Sequence, residues 1–400
     1  MSPEWITKKL GDVCEVVRGG SPRPIIDFIT DEPDGVNWLK IGDVKETDKY
    51  FDHAAEKIKR SGIPKTREVV SGDLILSNSM SFGRAFITRI DGYIHDGWLR
   101  LRPDNRVLDK EYLYYFLTSS LAQNQLKAVA TGSVVNNLKS DTVKAVNIKL
   151  PPLDNQRNIA QTLSMFDEKI VVNEEINKNL SAQIETFLLA YLDSEGSSPV
   201  KLGDYLYIKG RIGWKGLKKS EYLPQSEYRI INGEALTQSG IDWDKAGYIS
   251  EERYVESPEI MLKVGDILLS KDGTIGKIGY VDNLELPTSV ASGIFVIRNT
   301  KPDIISTTFI YYLLKSRLFT SFIAARTEGS VIPHLYQKDF MEFEFPLPTA
   351  EKMTEFEKIT EPMFLQILNN LNENKRLGLL RDNLLPKLMS GELDVSAIDN

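Results

Sequence analysis

The stretch IKLPPLDNQRNIAQTLSMFDEKI, residues 148–170, changes character within a few letters. An apolar run typical of a strand ends at two prolines, which cannot donate hydrogen bonds to a sheet ladder. A long run with helical spacing follows, with Asp154 at the position expected for a helix N-cap. We therefore predict a joint between a globular part and a long helix. The stretch FEFPLPTAEKMTEFEKITEPMFLQI, residues 343–367, predicts a second joint of the same kind.

The chain contains an internal repeat, and this repeat decides the architecture. SGDLILSNSMSFGRAF at 71–86 matches VGDILLSKDGTIGKIG at 264–279, and TGSVVNNL at 131–138 matches EGSVIPHL at 328–335. From Glu111 onward the two copies align at a constant offset of 197 residues. We predict an internally duplicated α+β fold, in which each copy has a globular α/β domain followed by a long helix.

The helical parts carry apolar residues at alternating steps of four and three, which is typical of a coiled coil. A helix over 156–192 would span roughly 55 Å at about 1.5 Å per residue, so it needs an equally long partner. The second copy supplies that partner at 353–390. If the copies are related by a pseudo-two-fold axis, the two helices pack as an antiparallel coiled coil. Polar residues interrupt both seams and would fix their register, unless they face solvent: Asn173, Asn177, Asn370 and Asn374.

Composition places the chain among ordinary soluble globular proteins with two or more domains. It has 400 residues, of which 42% are hydrophobic and 26% charged. The one cysteine, Cys14, allows no internal disulfide, which fits a reducing compartment. The N-terminus lacks the apolar core of a signal peptide, and no run approaches 18 apolar residues. We expect a cytoplasmic protein.

Common catalytic motifs are missing from the sequence. No two glycines are separated by a single residue, so neither a dinucleotide fingerprint nor the usual S-adenosylmethionine glycine loop is present. There is also no P-loop, and no Gly-x-Ser-x-Gly elbow. Three scattered histidines and one cysteine cannot build a zinc site of ordinary spacing. We expect a non-catalytic chain without a cofactor or metal of its own.

Local basic runs stand out although the net charge is −7. Runs at 57–67 and 209–219 favour an anionic partner, although each could also be an ordinary solvated face. Turns after the repeated Gly-Asp strands, and the two GSV turns, add Arg, Lys, Asn and His side chains suited to phosphates and base edges. The candidate DNA-binding residues are Lys57, Lys59, Arg60, Arg67, Asn78, Arg84, Asn136, Asn137, Lys209, Arg211, Lys215, Lys218, Lys219, Lys271, Lys277 and His334.

Three segments together resemble the specificity (S) subunits of Type I restriction-modification enzymes. LPPLDNQRNIAQTLSMFDEKI is similar to a conserved family region close to Pro-Leu-Pro-x-x-Glu-Gln-x-x-Ile-Ala-x-x-Leu. The segments GDILLSKDGTIGKIG, at 265–279, and RDNLLPKLMSGELDV, at 381–395, are also similar to that family. The second copy departs from the pattern, because Met353 stands where the family has Gln and the first copy has Gln156.

The resemblance implies a DNA-recognition subunit rather than an enzyme. Each of two target-recognition domains would read one half of an asymmetric, bipartite double-stranded DNA target, while the helices set the gap and dock two methyltransferase (M) subunits. S-adenosylmethionine, ATP and magnesium would then reside on the M and restriction/translocase (R) subunits. A different class of function also fits the duplicated heads, namely a non-catalytic scaffold or adaptor that binds proteins. The expected domains are 1–150, 151–195, 196–346 and 347–400, with the second and fourth as helical spacers.

Overall fold

The chain divides into two compact units. Unit 1 comprises Met1–Val171 with Glu373–Asn400, and unit 2 comprises Val172–Asn372. Each unit therefore holds one globular part and one half of each long helix. The four domains predicted from the sequence are consecutive ranges of the chain, and their limits stay a prediction. The computed structural model describes residues 5–45, 48–79, 82–130, 138–212, 215–327 and 334–394.

Unit 1 is built on two five-stranded sheets, ordered β3-β6-β4-β10-β7 and β2-β11-β8-β9-β5, with a β1-β12 pair beside them. The strands are β1 (Ile6–Lys9), β2 (Cys14–Arg18), β3 (Ile29–Thr30), β4 (Val36–Leu39), β5 (Tyr50–Phe51), β6 (Glu56–Ile58), β7 (Arg67–Val69), β8 (Leu74–Ser77), β9 (Ala85–Thr88), β10 (Gly92–Ile94), β11 (Trp98–Pro103) and β12 (Asn147–Leu150). The helices are α1 (Lys110–Thr118), α2 (Ser120–Ala130), α3 (Ser140–Lys144) and α4 (Leu153–Leu192), and the last continues into unit 2.

Unit 2 repeats this plan with smaller sheets, ordered β14-β22-β19-β20 and β18-β15-β21, and with two pairs, β13-β23 and β16-β17. The strands are β13 (Ser198–Lys201), β14 (Leu206–Gly210), β15 (Tyr228–Ile231), β16 (Leu236–Thr237), β17 (Gly240–Ile241), β18 (Gly247–Ile249), β19 (Ile267–Ser270), β20 (Ile278–Tyr280), β21 (Thr288–Val290), β22 (Ile294–Asn299) and β23 (Glu344–Leu347). The helices are α5 (Glu251–Val255), α6 (Thr307–Lys315), α7 (Arg317–Thr327), α8 (Gln337–Met341) and α9 (Ala350–Ser390).

The main sheets are β2-β11-β8-β9-β5 in unit 1 and β14-β22-β19-β20 in unit 2. Their inner strands β8 and β19 are apolar up to a final serine, because both faces of each strand are covered. In β8, Leu74 and Leu76 pack into one hydrophobic cluster, while Ile75 points into another. β19 alternates in the same way within unit 2: Ile267 and Leu269 pack into one hydrophobic cluster, and Leu268 packs into another. The side-chain period of two in a strand produces this division.

The two long helices confirm the sequence prediction. α4 has 40 residues and α9 has 41. In unit 2 the helices run antiparallel, because Tyr191 packs on Phe356 while Asn177, earlier on α4, contacts Asn370, later on α9. Asp154 lies in the first turn of α4, so its predicted N-cap position is wrong by two residues. Its carboxylate still stabilises the positive helix end from there.

The helices and the globular part of unit 1 meet at a buried ionic cluster. The Asp167 carboxylate on α4 accepts hydrogen bonds from the Tyr115 hydroxyl on α1 and from Nη1 of Arg381 on α9, each at 2.5 Å. The ammonium of Lys49 donates to the same tyrosine at 3.0 Å and lies 2.9 Å from the Glu111 carboxylate. We name these five residues the polar joint. Lys49 and Asp167 are 8% and 7% exposed, so the charges neutralise each other away from water.

The same position in unit 2 is occupied by aromatic rings. Phe364 on α9 lies 4.9 Å from the ring of Tyr280, 5.2 Å from Tyr311 and 6.0 Å from Tyr312, measured between ring centroids. Ile184 on α4 is fully buried in the same cluster. We name these five residues the aromatic joint; Phe364 meets the rings of Tyr280 and Tyr312 edge-on and the ring of Tyr311 at a tilt of 42°.

Candidate nucleic-acid interface

Equivalent strands end side by side at one edge of the main sheet in each unit. In unit 1, β8 ends at Ser77 beside Trp98, the first residue of β11, and β2 ends at Arg18 opposite the next residue. In unit 2, β19 ends at Ser270 beside Ile294, the first residue of β22, and β14 ends opposite the following residue. We name these the loop edges, because the segments that carry many of the predicted DNA-binding residues leave the sheets there.

The described ends of the segment after the central strand share one hydrogen bond and one glycine conformation in both loop edges. The hydroxyls of Ser77 and Ser270 each accept a hydrogen bond from the backbone N–H seven residues later, at 3.0 and 2.8 Å. Gly83 and Gly276 have φ angles of 87° and 92°, a region that favours glycine. These interactions explain why the motif recurs in the sequence, and they define a turn whose remaining positions can vary.

At the loop edge of unit 1, the predicted residues divide between interior and surface. Asn78 is buried, and its Nδ2 donates to the Asp96 carbonyl at 2.9 Å, so it holds the turn in place. This placement does not support the direct base contact predicted for Asn78. Arg84 is half-buried. Asn136 and Asn137 lie outside the described residues.

At the loop edge of unit 2, the predicted residues come together from distant parts of the chain. Lys271 and Lys277 flank the turn and are half-buried, and the Lys277 ammonium donates to the Gly233 carbonyl at 3.0 Å. His334 forms a backbone bridge with Asp272, and the imidazole also hydrogen-bonds to that aspartate's carboxylate. The arrangement places two cations and an imidazole next to one turn.

The basic run of unit 1 forms an exposed surface. Its strand residue Lys57 is half-buried, whereas Lys59, Arg60, Lys65 and Arg67 are exposed. Arg60 and Lys65 lie on a short 3-10 helix, and Lys59 is its N-cap residue. Because these side chains extend into water, they can reach phosphates without disturbing the core.

A neighbouring segment connects this basic run to the loop edge of unit 1. The segment 20–28 leaves β2, with the Gly20 N–H donating to the Ile94 carbonyl at 3.2 Å. At its other end, the Lys59 ammonium donates to the Asp27 carbonyl at 2.8 Å. The segment adds Arg23, which the sequence analysis missed and whose side chain is 80% exposed. We name the combined set the basic surface of unit 1: Arg23, Lys59, Arg60, Lys65 and Arg67.

An open groove of about 870 Å³ adjoins segment 20–28. Its walls include the Trp38 and His95 rings and the side chains of Ile25, Ile26 and Lys40. Burial lowers the pKa of His95 below its usual value, which keeps the imidazole neutral near pH 7. The groove therefore combines an apolar wall with two ion pairs, Arg23 with Asp96 and Lys40 with Glu56.

The basic run of unit 2 is partly internal. Arg211 is only 2% exposed, and its guanidinium donates to the Val290 carbonyl at 3.1 Å and to the hydroxyls of Ser257 and Ser289. Burial lowers the pKa of Arg211, although an arginine stays charged at neutral pH. The guanidinium thus ties β14 to two other segments, and its placement does not support the predicted DNA contact.

The other lysines of this run divide in the same way. Lys209 on β14 is half-buried, and the Lys215 ammonium donates to the Glu256 carbonyl at 2.6 Å. Lys218 and Lys219 are exposed, and they remain the residues of the run best placed for phosphate contact. The DNA-binding roles of all these lysines stay predictions.

Three of the four asparagines of the helix seams lie in the parts of the long helices that belong to unit 2, and the fourth lies in unit 1. Asn370 donates to the Asn177 side-chain oxygen at 2.8 Å, and Asn177 donates to the Ile367 carbonyl at 3.4 Å. Asn173 is fully buried, and Asn374 in unit 1 is half-buried. A role in fixing the register stays a prediction, which these contacts make testable.

The described residues contain neither a metal-binding cluster nor a helix able to span a membrane. Within the described ranges, no group of three or more His, Cys, Asp or Glu side chains could hold a metal ion. In the same part of the chain, no helix is both long and apolar enough to cross a membrane.

Comparison with known proteins gives one family. The model of the Type I restriction modification DNA specificity domain matches the sequence twice, at residues 3–185 and 195–377. The MjaIX and MjaVIII Type I restriction enzyme specificity subunits of Methanocaldococcus jannaschii are 24% and 22% identical to the sequence. Each alignment covers 99% of this chain, with 95% of the first relative and 94% of the second.

A solved structure shares the fold. The crystal structure of a Type I restriction-modification system S subunit from M. genitalium superposes with a TM-score of 0.57 at 20% identity. The superposition covers 97% of this chain and 96% of that one.

Proposed function

Because the chain belongs to the family of Type I restriction modification DNA specificity domains, we propose that it is the DNA-recognition subunit of a Type I restriction-modification complex. Each unit reads one half of a bipartite target in double-stranded DNA. The long helices, which continue from one unit into the other, set the gap between the halves.

The duplication of the loop edge carries this proposal. Both units hold the same serine-to-backbone hydrogen bond after equivalent strands. A shared local structure is expected if both domains bind double-stranded DNA. The accessible side chains at the two edges differ: the half-buried Ser79 in unit 1 is replaced by the exposed Asp272 in unit 2 at the equivalent position. Two edges with one backbone and different side chains favour two different half-sites, so the target is asymmetric.

The outer faces of the long helices support docking of partner subunits. They expose large apolar side chains, whereas a helix that faced only water would carry polar ones. We propose that two methyltransferase (M) subunits bind these faces and that restriction/translocase (R) subunits join the complex through them. The exposed apolar residues are Met165, Val172, Ile176 and Leu189 on α4, and Leu365, Leu371, Leu379 and Leu380 on α9.

We propose that the chemistry belongs to those partners and that this chain is not catalytic. The glycine patterns for S-adenosylmethionine and ATP are missing from its sequence. S-adenosylmethionine would therefore reside on the M subunits, and ATP with magnesium on the R subunits. The cytoplasm is the proposed location, where DNA and these cofactors are available.

Binding to a randomised duplex library tests the proposal. The full-length chain, assembled with its M subunits, should select two short, different sequence elements separated by a gap of constant length. Affinity should fall steeply with salt, because lysines and arginines displace counterions from the phosphates. The scaffold alternative predicts no sequence selection, and that result would exclude DNA recognition.

A pair of substitutions tests the basic surface of unit 1. Replacing Lys59 and Arg60 by alanine should reduce the slope of log K against log salt by roughly 0.9 for each phosphate that the protein no longer neutralises. The double variant Lys9→Ala with Lys149→Ala is the matched control. Both lysines are exposed on the β1-β12 pair, and their replacement removes the same charge. Equal slopes for the two double variants would place the DNA elsewhere.

A further inference from the structure

Segment 20–28 of unit 1 presents one apolar side chain to water. Ile26 is 76% exposed, the highest value among the large hydrophobic residues that the structure describes. Single exposed apolar residues are normal on protein surfaces. Here the neighbouring Ile25 is also exposed, at 37%, and both side chains border the groove with the Trp38 ring. The two isoleucines therefore form an exposed apolar pair beside the groove, and exposed apolar patches can mark a binding site.

The backbone that carries Ile26 is held at both ends. On the β2 side, the Ser21 hydroxyl donates to the Asp96 carboxylate at 2.8 Å. On the other side, the N–H of Lys59 donates to the Phe28 carbonyl at 2.8 Å. Ile26 itself lies in a single 3-10 turn, Ile25–Asp27, between these attachments. The protruding side chain is thus positioned before any partner arrives, and its ordering costs little on binding.

The surroundings of Ile26 favour DNA over a protein partner. Five exposed cations form the basic surface on the same and the adjacent segment, and Lys59 anchors the carbonyl next to Ile26. A polyanion would be attracted to these cations, while its base edges would meet the apolar tip. In the major groove, the apolar group that a base presents is the 5-methyl group of thymine.

We propose that Ile26 contacts the 5-methyl group of a thymine in the half-target read by unit 1, and so helps to determine its sequence. This inference rests on the proposed function. Arg23, Lys59 and Arg60 hold the phosphates on either side of the groove. Ile25 is the less exposed of the two isoleucines, so Ile26 is the side chain that protrudes towards the DNA.

Replacing thymine by uracil tests the contact, because it removes only the methyl group. The selected duplex carries uracil at one thymine position at a time, and the full-length chain with its M subunits is titrated with each probe. The wild-type protein should lose roughly four-fold in affinity at one position of one half-site, the effect of about 0.8 kcal/mol for one buried methyl. For Ile26→Ala, the same replacement should have no effect.

Ile6→Ala is the matched control, because Ile6 is 49% exposed and lies on β1, which pairs with β12 rather than with the loop-edge strands. This variant should keep the wild-type response to uracil. If Ile26→Ala shows the same response as the wild type, or if no thymine methyl matters, the contact is refuted while DNA recognition stands. DNA bending that depends on Ile26 without a uracil effect would indicate insertion between base pairs, and would also refute it. A library without a selected sequence would overturn both proposals.

Discussion

The polar joint of unit 1 and the aromatic joint of unit 2 occupy the same place in the repeat, with opposite chemistry. At the offset of 197 residues, Asp167 corresponds to Phe364 and Arg381 to Ile184. The tyrosine on the first helix after the sheet is kept, as Tyr115 in one unit and as the corresponding residue of α6 in the other. Charged partners in one joint are matched by apolar partners in the other.

Each joint depends on matching residues from both long helices. The ion pair needs a residue from α4 and one from α9, which are 214 positions apart in sequence. A buried charge without its partner is strongly destabilising, whereas two apolar side chains of similar size are tolerated. As a rule, the two helix positions of the joint therefore hold either an ion pair or two apolar side chains.

The largest effect is expected for Asp167→Ala. The substitution leaves the buried Lys49 and the half-buried Arg381 without their shared carboxylate, which should cost about 3–5 kcal/mol of unfolding free energy. Hydrogen exchange should accelerate in α1 of unit 1 but not in α6 of unit 2, a matched helix. Asp167→Phe combined with Arg381→Ile copies the aromatic joint and should be less destabilising than Asp167→Ala alone. A double variant as unstable as the single one would contradict the rule.

A second contrast lies at the start of each long helix. The Gln156 amide donates to the carbonyls of Val107 and Pro151 and accepts from the Asp109 N–H, whereas unit 2 has the buried Met353 at this position. Gln156→Met should cost about 1–3 kcal/mol, because buried backbone groups lose their partners. Thermal unfolding of Gln156→Met and Met353→Leu, the latter as a conservative control, measures the difference. Equal melting temperatures would show that the glutamine is dispensable.

This contrast marks what the sequence could and could not predict. Heptad spacing is a local property, so it predicted α4 to within three residues of its start at Leu153. The repeat likewise predicted both turns. The role of Gln156 was not predicted, because two of its partners lie more than 45 residues away.

The interface was harder to predict than the fold for the same reason. A basic run such as 209–219 predicts an exposed surface. Arg211 is nevertheless buried, and its partners Ser257, Ser289 and Val290 are distant in sequence. Conversely, Arg23 and Ile26 belong to no charge run, and only the hydrogen bonds of Lys59 to the carbonyls of Asp27 and Phe28 attach their segment to the basic run. Side-chain burial depends on such long-range contacts, which composition does not encode.

The shared tyrosines should differ in the strength of their hydrogen bonds. Tyr115→Phe removes hydrogen bonds to charged partners and should cost about 1.5–3 kcal/mol. Tyr312→Phe removes a neutral hydrogen bond with Ser181 and should cost about 0.5–1.5 kcal/mol. Denaturant titration of both variants at neutral pH compares the two values. The reverse order would mean that the ionic cluster does not stabilise unit 1.

The smallest contrast concerns alkaline pH, where both joints should weaken. Burial raises the pKa of Tyr312 to about 12, and burial and Asp167 raise the pKa of Tyr115 further. Unfolded tyrosine titrates near pH 10, so this stability is present below about pH 10 and is lost as the pH rises above it. Above pH 10, each tyrosine should lower the free energy of unfolding by about 1.4 kcal/mol for each unit by which the pH rises, until its folded-state pKa is reached. Tyrosinate absorbance that appears in the folded protein near pH 10 at these positions would contradict the burial.

Site-directed DNA cleavage tests most directly whether each unit reads its own half of the target. The native thiol, Cys14, is buried with a pKa raised to about 12, so it stays unreactive while a new exposed cysteine is labelled. An iron chelate that cleaves DNA is attached to Lys65→Cys in unit 1 or to Lys219→Cys in unit 2, and the assembled protein binds the selected duplex. Cleavage should fall in one half-site for the first variant and in the other half-site for the second. Cleavage of the same half-site by both variants would contradict the division of recognition between the two units.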